Sequence, residues 1–158
     1  MTADAPQLKS VRARGSWRGH MTTDVSIRDF SFHIDEPEPV GGTNSAPTPM
    51  EFIAGALNGC ITVVVETVAA ELDIHLDGIE TASHAHMDVR GFRGTADVSP
   101  HYTDYALSIE IRTDATAEQR GELVRQSEKR CPAINLVRDA GVPLTIDWRY
   151  EPSTNGAS

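Results

Sequence analysis

Between Pro49 and Leu72 the chain is apolar around most of a helical projection, and this stretch restricts the possible folds more than any other feature. Thr48-Pro49-Met50-Glu51 opens it with three helix-start signals: an N-cap hydroxyl, a proline at the first helical position, and a glutamate three residues after the cap. Ile61-Thr-Val-Val-Val65 has strand propensity, but no turn separates it from the capped segment, and Glu66 to Leu72 is again helical in composition. The pattern predicts one long helix over Pro49 to Leu72, buried on several sides. Its length would suit a membrane span, yet Asn58, Glu66 and Glu71 interrupt it, and each acid at bilayer depth would cost about 2.5 kcal/mol or more. A buried helix of a soluble protein is expected, with no membrane partner.

A helix apolar on several sides needs other elements to cover it. Val11 to Trp17 and Val25 to Ile34 alternate like strands, with Arg18-Gly19-His20 as the expected turn. Asp35 to Pro47 reads as a loop, because its prolines and glycines cannot sustain a ladder. After Asp77-Gly78 the chain is extended through Val89, and Arg90 to Gly94 breaks that run. Leu107, Ile109 and Ile111 alternate with polar residues as a half-buried strand. Thr116-Ala-Glu-Gln119 is a second capping box and opens a helix to about Arg130. Cys131-Pro132 ends it, since the residue before proline is pushed out of the helical region, and a short helix then runs to near Gly141. Leu144, Ile146, Trp148 and Tyr150 form a last alternating strand. Grouped strands, a central helix and a returning strand indicate an α+β fold with antiparallel pairing. The 158 residues suit one domain, expected over 8–150, with 1–7 and 151–158 as flexible termini.

The chain carries 14 Lys plus Arg against 23 Asp plus Glu, a formal charge of −9, so a nucleic-acid backbone would repel it. The start of the chain has an acid where a signal peptide would need positive charge, and no apolar segment follows, so a cytoplasmic location is expected. In a reducing compartment two cysteines are either inert core thiols or redox groups. A cysteine in the middle of a buried helix is more often a small core hydrophobe than a nucleophile, so Cys60 alone stays open between the two. Cys131, before a proline-started helix, has the electropositive location that Cys60 lacks, and a reactive Cys60 would need a guanidinium brought to it by the fold.

Gly41-Gly42 in a Pro-rich loop, the run Pro47-Thr-Pro49-Met-Glu51-Phe-Ile-Ala-Gly-Ala-Leu-Asn-Gly-Cys60, the segment Asp88-Val-Arg-Gly-Phe-Arg-Gly94, and Cys131-Pro132 after a charged helix together resemble the OsmC/Ohr organic hydroperoxide resistance family. The similarity extends from about Val11 to Tyr150. It implies an OsmC-like fold, with antiparallel sheets wrapped around a long central helix in an intertwined homodimer. It also implies a thiol-dependent peroxidase: Cys60 attacks an organic hydroperoxide or hydrogen peroxide, and Cys131 resolves the product as a disulfide. A dithiol, often lipoyl, would be the reductant, with no metal, flavin or haem required.

The family places an arginine, held by a carboxylate, beside the reactive thiolate. Arg18 and Glu51 are the carried-over pair, with Arg14, Arg28 and Arg90 as alternatives to Arg18. A solvated turn is the plain role for Arg18, and helix capping that for Glu51. The organic-hydroperoxide branch has its carboxylate directly after the proline, where this chain has Met50, and this points to an OsmC-like member outside that branch. Glu51 and Cys60 lie about 13 Å apart along one helix. An activating Glu51, with Arg18, must therefore come from the partner chain. His84 and His86 share a strand face and could grip a metal, though a solvated sheet face is the plainer reading. Phe52, Leu57, Phe92 and Trp148 could shape an apolar pocket or simply fill a core. The rival functions are a non-enzymatic OsmC-like small-molecule-binding protein and, with no histidine visibly placed for it, a Cys-His hydrolase.

Overall fold

The computed structural model describes residues 5–153. Of the flexible termini expected over 1–7 and 151–158, residues 1–4 and 154–158 lie outside the described residues, and Glu151 belongs to the last strand. Two compact parts divide the chain, one reaching Phe52 and the other starting at Ile53.

The first part is a meander of three antiparallel strands, β1 (Arg14–Gly19), β2 (Thr22–Ile27) and β3 (Phe30–Ile34), in that order. Two expectations change here. Arg18 lies within β1, and the hairpin turn is His20-Met21, whose φ angles of 47° and 66° are those of a tight two-residue hairpin turn. The predicted strand over Val25 to Ile34 is two strands, reversed at Arg28-Asp29 with Arg28 at φ 57°. No glycine or proline marks that reversal, so composition could not show it. Pairing of Ser16 with Asp24, and of Asp24 with His33, gathers polar side chains on one face. Trp17, Val25 and Phe32 lie on the other.

The loop after β3 is ordered by one buried acid. Asp35 is fully buried and accepts hydrogen bonds from Thr22 Oγ1 (3.2 Å), Thr43 N (3.1 Å), Thr43 Oγ1 (2.7 Å), Ser45 N (3.0 Å) and Ser45 Oγ (2.8 Å). The Ser45 backbone N–H and the Thr43 hydroxyl hold its carboxyl far below the usual range, because they stabilise the charged form. Gly42 is required in this loop, since a methyl there would overlap the Glu36 carbonyl. Thr48 and Glu51 then close a capping box, Thr48 N to Glu51 Oε2 at 2.7 Å and Glu51 N to Thr48 Oγ1 at 3.3 Å, and start α1 (Pro49–Glu71).

In the second part β4 (Gly78–Met87), β5 (Tyr102–Arg112) and β6 (Leu144–Glu151) form one sheet with β5 in the middle. β4 pairs antiparallel with β5, as expected, whereas β6 pairs parallel with it. The reason is the connection: α3 (Ala117–Arg130) and α4 (Pro132–Asp139) carry the chain back before β6 begins, and such a crossover returns a strand in the same direction. β4 stops at Met87, short of the predicted Val89, because Asp88 caps a one-turn helix, α2 (Val89–Arg93), by accepting from Arg90 N.

The core of this part is Leu57, Ile61, Val65, Val68 and Ala69 of α1, Tyr105, Leu107, Ile109 and Ile111 of β5, Leu123 of α3, and Ile134 and Val137 of α4. Each large aliphatic side chain fully buried there contributes roughly 1.5–3 kcal/mol. Those α1 positions make a single stripe at helical spacing. The expected burial on several sides is not found among the described residues: Ile53, Ala56, Val63 and Ala70 are exposed, and a methyl added at Gly55 or Gly59 would meet nothing within 4 Å.

Candidate redox site

Cys131 occupies the joint between α3 and α4. Pro132 forces it out of the helical region, to φ −73° and ψ 111°, so it ends one helix and precedes the next. Its N–H still donates to Ser127 O at 3.0 Å, and its carbonyl accepts from Asn135 N (3.1 Å) and Asn135 Nδ2 (2.9 Å). Next to it Arg130 forms a bidentate pair with Glu71, one contact being Nη2 to Oε1 at 2.8 Å, which ties the end of α3 to the end of α1. The thiol of Cys131 is fully buried, and that of Cys60, on α1, is half-buried.

The two sulfurs lie 3.7 Å apart, with Cys131 donating to Cys60. Burial pushes the Cys131 thiol up; the Ile134 and Ala133 N–H groups oppose this and Cys60 adds to it. Cys131 is therefore a neutral thiol at neutral pH, and Cys60 is the sulfur that accepts its hydrogen bond and that a reagent can reach. A disulfide requires about 2.05 Å between sulfurs, so roughly 1.7 Å of approach separates this geometry from a covalent bond.

The other predicted residues fall elsewhere. Glu51 is engaged in the α1 cap, and among the described residues no arginine pairs with it. Arg18 instead donates from Nε to Asp24 Oδ2, while His33 Nδ1 binds Asp24 Oδ1 at 2.7 Å. Chiefly through the Arg18 hydrogen bond, Asp24 is held below the usual carboxylate range. The carboxylate that holds Arg18 in this chain is thus Asp24.

Of the alternatives, Arg14 and Arg28 lie with the Arg18 hairpin, where Arg28 covers the Phe30 ring at 5.0 Å, and Arg90 is held by Asp88. The His84 and His86 rings lie 4.7 Å apart, with His86 Nδ1 on Asp104 at 2.8 Å. Of the pocket candidates, Phe52 stacks on Phe32, Leu57 is core, Phe92 is exposed, and Trp148 Nε1 donates to Glu128 at 3.0 Å. A half-buried chain runs from Tyr105 OH to Ser83 Oγ (2.8 Å) and on to Asn58 Oδ1, giving the amide oxygen in the apolar helix a partner. Sequence reasoning missed Asp24, Asp35 and the Arg130–Glu71 pair. Only Asp24 had a visible signal, as a lone acid in an otherwise strand-like run.

Residues 42–147 match the family described as OsmC-like protein. This chain belongs to that family. Comparison with curated proteins gave no match. Among solved structures, an OsmC-like protein from Mycoplasma pneumoniae aligns with TM-score 0.75 and 16% identity over 92% of this chain and 98% of its own. An organic hydroperoxide resistance protein from Elizabethkingia anophelis aligns with TM-score 0.70 and 15% identity over 93% and 100%. The organic hydroperoxide resistance protein OhrB of Bacillus subtilis gives 0.58 and 19% over 92% and 100%. At these identities the likeness concerns the fold, and the OsmC-like α+β architecture of this member is shared with all three.

Proposed function

We propose that the protein is a cytoplasmic thiol-dependent peroxidase for organic hydroperoxides, also able to take hydrogen peroxide. The observation that carries this is the pair of sulfurs 3.7 Å apart, one reachable and one buried, brought together across 131 − 60 = 71 residues of chain. The Cys60 thiolate attacks the terminal oxygen of ROOH, the O–O bond breaks, and RO⁻ leaves and takes up a proton as the alcohol. Cys60 is now a sulfenic acid. The Cys131 sulfur displaces its hydroxyl, the thiol proton leaves with it as water, and the Cys60–Cys131 disulfide forms. An external dithiol, lipoyl in kind, returns two electrons by thiol–disulfide exchange. Family membership and the fold shared with hydroperoxide resistance proteins support this reading.

The active form is proposed to be a homodimer. Support comes from the α1 face bearing Gly55, Gly59 and Val63, which the described residues leave uncovered, since glycines in a helix interior cost about 1 kcal/mol each unless close packing uses them. In that dimer the partner subunit's Arg18 supplies the cation that favours the Cys60 thiolate. Glu51, as helix cap, sets where α1 begins.

The test is peroxide consumption with cumene hydroperoxide and hydrogen peroxide in the presence of dihydrolipoamide. Cys60→Ser should abolish turnover, and Cys131→Ser should leave a sulfenic acid on Cys60 that dimedone traps for mass spectrometry. Absence of turnover in the wild type, with no disulfide formed, would leave a non-enzymatic small-molecule-binding protein as the reading.

A further inference from the structure

Ion-paired arginines in this chain use their terminal nitrogens, with one exception among the described residues. Arg90, Arg112, Arg125, Arg130, Arg138 and Arg149 each place Nη1 or Nη2 on an acid, with Nε joining in Arg90, Arg125 and Arg149. Arg18 is held through Nε, and among the described residues neither of its terminal nitrogens has a hydrogen-bond partner. Its side chain is 64% exposed.

This arrangement is built by the hairpin. In the β1–β2 register Trp17 pairs with Thr23 and Gly19 with Thr22, so Arg18 is the extra residue of a bulge, a device that re-aims a side chain. Asp24 sits one step along β2, directly opposite His33 of β3, and each of its oxygens has a partner, Arg18 on Oδ2 and His33 on Oδ1. The carboxylate is therefore fixed from both neighbouring strands. A planar guanidinium gripped by Nε presents its remaining fork outward, in the geometry suited to an anion. Glu51, the other acid considered for this task, is occupied by the Thr48 N–H.

We propose that Asp24, steadied by His33, is the positioning residue that holds Arg18 by Nε and so directs its two terminal nitrogens to the partner subunit's Cys60 thiolate. The inference rests on the reading that Arg18 serves Cys60. It assigns the holding role to an acid on the same sheet as the arginine rather than to the acid on the helix.

The test uses the full-length protein and the pH dependence of Cys60 alkylation by iodoacetamide, read by peptide mass spectrometry. Arg18→Ala and Asp24→Asn should each raise the Cys60 midpoint by about one unit and slow alkylation at pH 7 about tenfold. The double variant should be no slower than Arg18→Ala, because both changes remove the same contribution. Added guanidinium chloride at low millimolar concentration should partly restore Arg18→Ala but not the double variant. This response separates positioning from a general loss of structure, which circular dichroism of the same samples also checks. A slow Arg18→Ala beside an Asp24→Asn of wild-type rate overturns the role of Asp24 while keeping that of Arg18. Asp24 loses its role in the same way if Glu51→Gln, and not Asp24→Asn, matches Arg18→Ala. A wild-type rate in Arg18→Ala overturns the underlying reading and the inference with it.

Discussion

Oxidising Cys60 and Cys131 to a disulfide should stabilise the protein, and the structure sets the scale of the effect. The bond would close a loop of 131 − 60 = 71 residues, and the chain-entropy relation for a loop of that size gives about 4 kcal/mol at 25 °C. Against this stands the cost of drawing the sulfurs together from 3.7 Å by roughly 1.7 Å. Cys131 lies at a helix joint rather than within a helix, so a small rotation there can supply the movement without breaking a helical turn. A net gain of about 2–4 kcal/mol is expected, equivalent to roughly 5–15 °C in melting temperature for a chain of this size. The assay is urea unfolding of fully reduced and stoichiometrically oxidised protein at one fixed protein concentration, with non-reducing electrophoresis to confirm that the bond is within the chain. Oxidised protein no more stable than reduced protein would refute the reasoning, because closure would then cost as much as the loop constraint contributes. A bond formed only between chains would refute the geometry itself.

The half-buried Tyr105–Ser83–Asn58 chain predicts that Tyr105→Phe costs about 1 kcal/mol in urea unfolding, the typical contribution of one hydrogen bond, with the fold intact by circular dichroism. Asp35 predicts a limb of acid destabilisation. Its carboxyl is held below the unfolded value of 3.8, so its contribution is fully present above about pH 5 and is lost as pH falls toward the folded value; Asp35→Asn should flatten that limb of a stability-against-pH curve. At the alkaline end the buried Cys131 thiol is raised, so its neutral form favours the fold below the unfolded value of 9.0 and stability falls as pH rises beyond it. Cys131→Ala should lessen that fall, and an unchanged curve would show that the thiol is not desolvated.

Features that depend on neighbours a few residues away were legible along the chain. The capping boxes of Thr48 with Glu51 and of Thr116 with Gln119 are both formed, because an N-cap bond spans only three residues. Cys131-Pro132 divides two helices for an equally local reason, the clash of the proline ring with a preceding helical residue. The alternation of Leu107, Ile109 and Ile111 marks a strand whose inward positions are buried. The reversal at Arg28-Asp29 carried no such mark, since its left-handed φ falls on a residue that gives no sign of it in composition.

The chain order alone therefore determined where α1, α3 and α4 start and stop, which side of β5 and β6 is apolar, and the two thiols on which a redox reading depends. Tertiary structure decided which groups meet. It set β6 parallel to β5 through the α3–α4 crossover, placed Cys131 on Cys60, and put Asp24 rather than Glu51 on Arg18. Capping and periodicity are contacts along one element and are written in spacing. Pairings across strands and across 71 residues depend on register, bulges and side-chain direction, which exist only once the sheets have formed.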